Sequence, residues 1–414
     1  MIRKEILKEV IESQREWILK QHRGVEREKL SSVKHSKSFA MVISGIRRCG
    51  KSTLLSQVLS RQNIFYYLNL EDPRLNNIEL MDLNKTENIF KELYGEGGTY
   101  FLDEIQTVKL WEKFVRYLVD KKKEVIITGS NASLLSRELG TRLTGRHIRI
   151  ELFPFSYREF LKFHNAQASK KSFEKYLLKG GFPEYLKQDD PAIHYELLND
   201  VVARDIAVRF GIKNVSLLKN IATYLISHVG KPFSYNSIRS MFGIKSVQSV
   251  IDYISYFEDS YILFTIPIFS YSYKKQQVNP KKAYSIDNGF SYSNTISFSK
   301  DKGKMLENCV FLHLRRIFRE IFYFVGQGEC DFVIKEKEKI TQAVQVCYEL
   351  TETNEKREIN GLIEAMEKFK LSQGYILTLN QDDELDVKNK KIIVKPVWRW
   401  LIESEAGLKK IRRR

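Results

Sequence analysis

The chain has 414 residues, 43% hydrophobic and 29% charged, a composition that excludes a disordered or fibrous chain. At roughly 150 residues per domain, that length accommodates two or three domains. Lys and Arg total 68 against 51 Asp and Glu, and the net charge of +17 points to a polyanionic partner, nucleic acid first and an acidic membrane surface second. No apolar run reaches the ~18 residues that span a bilayer. The opening MIRKEILKEVIESQREWILK lacks the apolar core and cleavage site of a secretory signal. Cys49, Cys309, Cys330 and Cys347 are scattered without metal-ligand spacing. A cytoplasmic protein without a membrane partner is expected.

Residues 1–37 read as a charged amphipathic helix and a basic loop, with Ile6, Val10, Ile11, Trp17 and Ile18 at roughly helical spacing. Over 38–160, five short apolar segments alternate with helical stretches: FAMVIS, IFYYLNL, GTYFLDEI, EVIITG and HIRIEL. That alternation predicts an α/β domain with a parallel sheet covered by helices. Residues 161–212 are helical, with a turn forced at GGFPEYL. Residues 213–292 read as short helices, a longer helix and an aromatic two-stranded ribbon, and 300–414 as helix, three strands, helix, strand.

Gly45-Ile46-Arg47-Arg48-Cys49-Gly50-Lys51-Ser52, followed by Thr53, fits the phosphate-loop pattern G-x-x-x-x-G-K-[ST] between a strand and a helix. Its glycines let successive N–H groups face phosphate oxygens; Lys51 reaches the β- and γ-phosphates and the Ser52 hydroxyl sits on Mg²⁺. A second strand, TYFLDE, ends in Asp103, placed to hold Mg²⁺, and Glu104, placed as the base for the attacking water. Asn131, after the strand EVIITG, is either a contact to the γ-phosphate or water, or a turn residue. Arg142 and Arg146 precede the last sheet strand and either enter a neighbouring subunit's phosphate site or are solvated. Glu71 and Asp72 line the same cleft or cap the next helix.

Together GIRRCGKSTLL, YFLDEIQ, ITGSNASLLSREL, TRLTGR, PFSYREF and GGFPEYL resemble the AAA+-type P-loop ATPases of archaea and bacteria that carry a C-terminal domain of unknown function. The resemblance implies a parallel-sheet ATPase domain with a helical lid, a winged helix, ATP and Mg²⁺ as ligands, and homo-oligomers with sites at subunit interfaces. By it, Gly45 to Thr53 is Walker A, Asp103 and Glu104 are Walker B, Asn131 is the sensor, and Arg146 is the arginine-finger candidate ahead of Arg142.

In SYNSIRSMFG-IKSVQSVIDYISYFEDS, Gly243 separates two helices as in a helix-turn-helix. On DNA the second helix would present Lys245, Ser246, Gln248 and Ser249. The ribbon that follows, with Lys274, Lys275, Lys281 and Lys282, suits phosphate contact as the wing. Asp252, Glu258 and Asp259 favour instead a packing or protein-contact module. The order of elements in 300–405 resembles the restriction-endonuclease-like fold, whose active members place an acid on the first helix, an Asp on a strand and an acid-x-Lys on the next. Here those positions hold Glu307, Asp331, Gln345 and Cys347. The last two lack the acid and the cation, so a non-catalytic scaffold is expected. Strand alternation puts Glu329, Asp331, Val333 and Lys335 on one face, leaving a shifted metal site conceivable. The basic end GLKKIRRR binds phosphate backbones or is a solvated tail. Two functions stay open beside the DNA-directed ATPase: a nucleotide-gated switch with slow turnover, and an ATP-controlled metal-dependent nuclease.

Overall fold

A computed structural model describes residues 1–130, 145–278, 280–295 and 301–403. Two compact units divide the chain: Met1–Phe153 with Asp259–Tyr261, and Pro154–Glu258 with the segment beginning at Ile262.

In the first unit, strands β1 (Ala40–Ser44), β2 (Phe65–Asn69), β3 (Thr99–Asp103), β4 (Val125–Gly129) and β5 (His147–Glu151) coincide with the five apolar segments. All pair in parallel, in the order β2-β3-β4-β1-β5. β1, β3 and β4 are buried throughout, which is why they read as unbroken apolar runs and not as alternation. Helices α1 (Lys4–Lys20), α2 (Lys51–Leu59), α3 (Leu80–Tyr94) and α4 (Trp111–Asp120) belong to the same unit. The buried side of α1 is Leu7, Val10, Ile11, Gln14 and Ile18. Trp17, expected on that face, is 50% exposed, because the stripe is set by Leu7 and not by Ile6.

The second unit opens with α5 (Tyr157–Phe163), α6 (Lys170–Lys179), α7 (Pro183–Gln188) and α8 (Ala192–Asp200). Then come α9 (Val215–Ser227), β6 (Pro232–Phe233), α10 (Tyr235–Met241), α11 (Val247–Asp259), β7 (Leu263–Pro267), α12 (Tyr273–Val278), β8 (Lys281–Ser285) and α13 (Asn288–Asn294). β6, β8 and β7 form an antiparallel three-stranded sheet. The expected two-stranded ribbon is thus three-stranded, with a helix between β7 and β8. Lys281 and Lys282, expected on an exposed wing, are buried, at 9% and 0% exposure; Lys274 and Lys275 lie on α12 and are exposed.

From 302 onward the order is α14 (Lys302–Ile317), β9 (Glu320–Val325), β10 (Glu329–Glu336), β11 (Lys339–Val346), α15 (Glu355–Lys368), β12 (Gln373–Thr378), then β13 (Asp383–Val387) and β14 (Lys390–Pro396), neither of these last two foreseen. The sheet order is β13-β14-β12-β11-β10-β9, with β11, β12 and β14 parallel and the rest antiparallel. β10 is bulged: Cys330 pairs with Phe324 but Val333 with Phe322, one residue more on β10 than on β9. Alternation fails there. Val333 joins Cys330 in the hydrophobic core, away from Asp331, so the four-residue face expected from the sequence does not exist.

Candidate nucleotide site

The P-loop follows β1, an interior strand of the sheet between β4 and β5, and leads into α2. Gly50, with φ of +96°, caps that helix in the left-handed region, which glycine adopts without steric cost. Gly45 serves close approach instead, since a Cβ there would lie 2.1 Å from the Leu152 carbonyl oxygen. A buried arginine the sequence did not flag braces the loop from outside. The Arg27 guanidinium, 2% exposed, donates to the carbonyls of Cys49 and Phe153, each at 2.7 Å.

Because β4 lies between β1 and β3, the ends of these three strands converge. Lys51, 5% exposed, donates to the Gly45 and Ile46 carbonyls at 3.2 and 3.4 Å and pairs with Glu104 at 3.3 Å. Burial alone would depress its pKa, but the Glu104 and Asp103 charges outweigh that and raise it. Ser52 donates to Asp103 at 3.0 Å, Tyr67 donates to the same oxygen at 3.2 Å, and Thr128 donates to the other. Burial, with Glu104 beside it, pushes the Asp103 carboxyl up.

Glu104 has a left-handed backbone, φ +51°. Its amide donates to Thr128 Oγ1 at 2.9 Å, and its carboxylate accepts from Gln106 and from the Ser130 amide at 3.1 Å. Burial pushes this carboxyl up, but Lys51, Gln106 and Arg47 more than compensate, and it sits below its ordinary value. Lys51, Ser52, Asp103 and Glu104 are therefore brought together as expected. Cationic Lys51 and the glycine-lined turn fit a polyphosphate, and the Ser52 hydroxyl with the Asp103 carboxylate are the hard oxygen donors Mg²⁺ takes.

Arg47 pairs with Glu71 at 3.3 Å, so Glu71 lines the cleft, whereas Asp72 accepts from the Arg74 amide and caps a short turn. Arg48 and Ser52 are exposed, while Ile46 and Cys49 are buried. Arg146 lies before β5, at the end of the sheet away from the P-loop, and pairs with Asp120. Asn131 and Arg142 lie outside the described residues. From the β4 end, Thr128 and Ser130 are the residues seen to touch Asp103 and Glu104; the strand order that places them was not legible in the sequence.

In the second unit, Lys282 lies 2.6 Å from Glu329, 3.0 Å from Asp331 and 3.4 Å from Glu307. Burial would depress the ammonium, but these carboxylates hold its pKa well above the usual lysine value. Lys304 pairs with the second Glu307 oxygen at 2.7 Å and Tyr284 donates to the first at 2.8 Å. Gln345 accepts from the Asp331 amide and donates to Glu358. Cys347 is buried, its thiol pushed up to about 12. Lys335 pairs instead with Glu320. The acids are thus neutralised from within by a lysine from β8. Among the described residues, no group of three or more His, Cys, Asp or Glu is arranged to hold a metal ion, and no helix is long and apolar enough to cross a membrane.

Residues 37–161 match the AAA domain family, and 170–299 match a domain of unknown function (DUF8612). An uncharacterized protein of Methanocaldococcus jannaschii is 36% identical over 391 residues, covering 87% of each chain. An uncharacterized protein of Haemophilus influenzae is 30% identical over 355 residues, 80% of this chain and 88% of its own. Among solved structures, the replication initiator DnaA bound to AMPPCP and single-stranded DNA aligns with 62% of this chain and 93% of its own, at 17% identity and a TM-score of 0.28.

Proposed function

The chain belongs to the family of these uncharacterized archaeal and bacterial proteins and carries an AAA domain, and on that premise we propose that it is an ATP-hydrolysing AAA+-type ATPase acting on DNA or a DNA-associated partner. The observation that carries the proposal is the convergence of Lys51, Ser52, Asp103 and Glu104 at the ends of adjacent strands. Lys51 would exchange Glu104 for the β- and γ-phosphates. Ser52 and Asp103 would hold Mg²⁺, which when bound neutralises phosphate charge. Glu104, freed of Lys51 but kept by Gln106 and the Ser130 amide, would accept the proton of the attacking water. Asn131 is proposed to orient that water, and Arg146 to act in trans at a neighbour's site in a homo-oligomer.

The segment from α9 to β8 is read as a winged helix and the segment from α14 onward as a restriction-endonuclease-like scaffold without nuclease activity, since Lys282 occupies the acid cluster. For DNA, the exposed Lys245, Ser246 and Gln248 at the start of α11, and Lys274 and Lys275 on α12, supply the contacts; Lys281 and Lys282 do not.

A second reading, a nucleotide-gated switch with slow turnover, is favoured by the Lys51–Glu104 pair, which nucleotide must break before Lys51 can reach a phosphate. Phosphate release at several protein concentrations, with and without duplex DNA, separates the two. An ATPase acting through a shared arginine and DNA gives a rate per subunit that rises with both; a switch gives a low rate indifferent to both. Lys51→Ala should abolish nucleotide binding and Glu104→Gln should retain ATP without hydrolysing it. Unchanged turnover in either variant removes the assigned role.

A further inference from the structure

In the second unit a cavity of about 550 Å³ opens where the segment from Phe269 to Gln276 runs beside the edge of the six-stranded sheet. The segment is tied to the sheet at one end, where the Phe269 amide donates to the Tyr323 carbonyl at 2.7 Å, and is closed on itself by the Gln276 side chain, which donates to the Ser270 carbonyl at 2.6 Å. Its floor is aromatic, with Phe269 edge-on to Phe369 and Phe322 at centroid distances of 4.7 and 5.6 Å. Tyr271 packs edge-on against Phe269 at 5.2 Å, yet 82% of it is exposed; Tyr273 is 74% exposed. Rings this open contribute little burial to the fold, and their faces are free for a flat ligand.

The same cavity is lined by Lys335, Lys339, Lys368 and Lys370 against Glu320 and Glu338. Lys335 is paired with Glu320 at 2.8 Å. Among the described residues no carboxylate lies within ion-pair distance of Lys339, Lys368 or Lys370, and all three are exposed. Exposed Lys274 and Lys275 follow Tyr273 directly. A positively charged groove interleaved with open aromatic rings is the combination that tracks a phosphate backbone while stacking its bases. Duplex DNA keeps its base faces inside the helix. An acidic peptide would engage the lysines and leave the tyrosines without a purpose.

We propose that this groove binds single-stranded nucleic acid, with bases stacked on Tyr271 and Tyr273 and phosphates met by Lys339, Lys368 and Lys370. The proposal rests on the nucleic-acid reading above and supplies that reading with a strand class and a place.

The test is fluorescence anisotropy of the full chain with labelled oligothymidylate and, separately, a labelled duplex of equal length. Tyr271→Ala with Tyr273→Ala should weaken oligothymidylate binding about tenfold or more and leave duplex binding unchanged, whereas Tyr271→Phe with Tyr273→Phe should keep the affinity. Changing Lys339, Lys368 and Lys370 together to Gln should make the slope of log K against log salt shallower by about 2, at ~0.7 per phosphate contact. Oligothymidylate binding that survives loss of both rings overturns the groove while leaving the nucleic-acid reading standing. Loss with the lysine variant alone marks a charge-only surface suited to an acidic peptide, and overturns the proposal equally. If the unmodified chain binds neither probe, the nucleic-acid reading and the groove fall together.

Discussion

Replacing Lys282 by Met removes a buried ammonium and leaves three carboxylates facing one another. Breaking a buried ion pair by removing one partner costs ~3–5 kcal/mol, because an uncompensated charge stays in low dielectric. Two features place this case near the lower end, at about 3 kcal/mol: Lys304 still holds one oxygen of Glu307 at 2.7 Å, and the Glu329 side chain, 43% exposed, can turn to water. Asp331 and Glu307 carry the penalty. Burial and the neighbouring Asp331 already push the Glu307 carboxyl up, and Lys282 is the first charge opposing that. Without Lys282 the folded state binds protons at a pH where the unfolded chain, with carboxylates near 4, does not. The variant therefore gains stability as pH falls towards that value, beyond any gain in the parent. Urea unfolding at neutral and mildly acidic pH measures both effects. Adding Glu307→Gln and Asp331→Asn to Lys282→Met should recover much of the loss, since no bare charge remains. A loss below about 1 kcal/mol, or a triple variant no more stable than the single, would refute the view of Lys282 as the internal counter-ion of this cluster.

Arg27→Met should leave the buried carbonyls of Cys49 and Phe153 without these donors, costing about 1–3 kcal/mol for each; a lower melting temperature and weaker binding of a fluorescent ATP analogue are expected, and unchanged binding would show the P-loop needs no such brace. Gln106→Ala removes a hydrogen bond that lowers the Glu104 pKa, so the acid limb of the pH–turnover profile should move to higher pH; a stationary limb rejects Glu104 as the titrating base. His194 is fully buried and burial holds its pKa down to about 4. The unfolded chain, near 6.5, takes up a proton first, so stability should fall as pH drops from about 6.5 to 4, by roughly 3 kcal/mol in all. His194→Phe should flatten that slope in acid unfolding of the chain.

The nucleotide site was legible because it is local. The P-loop is a contiguous octapeptide whose glycines and lysine act through their own backbone and side chains, and TYFLDE is a buried strand whose last residues come at the C-terminal end of the sheet. β1, β3 and β4 were readable for the same reason, since parallel strands buried on both faces are plain apolar runs, whereas the edge strand β5, only partly buried, reads as alternation. The helix-strand order after residue 300 could be read as far as β12; the short, largely polar β13 and the β14 it pairs with could not. Tertiary structure alone decided what depends on strand order, register and distant partners. The position of β4 between β1 and β3 sets Thr128 and Ser130 against Asp103 and Glu104. Arg27 reaches the P-loop from a segment with no recognisable pattern. A one-residue bulge turns Val333 into the core and breaks the alternation from which a shifted metal site could be imagined. Lys282, by composition one more lysine of a basic ribbon, becomes a buried counter-ion because β8 carries it to carboxylates 25, 47 and 49 residues further along the chain. Charge can be counted from a sequence, but whether it faces solvent or a carboxylate is settled only when the chain has packed.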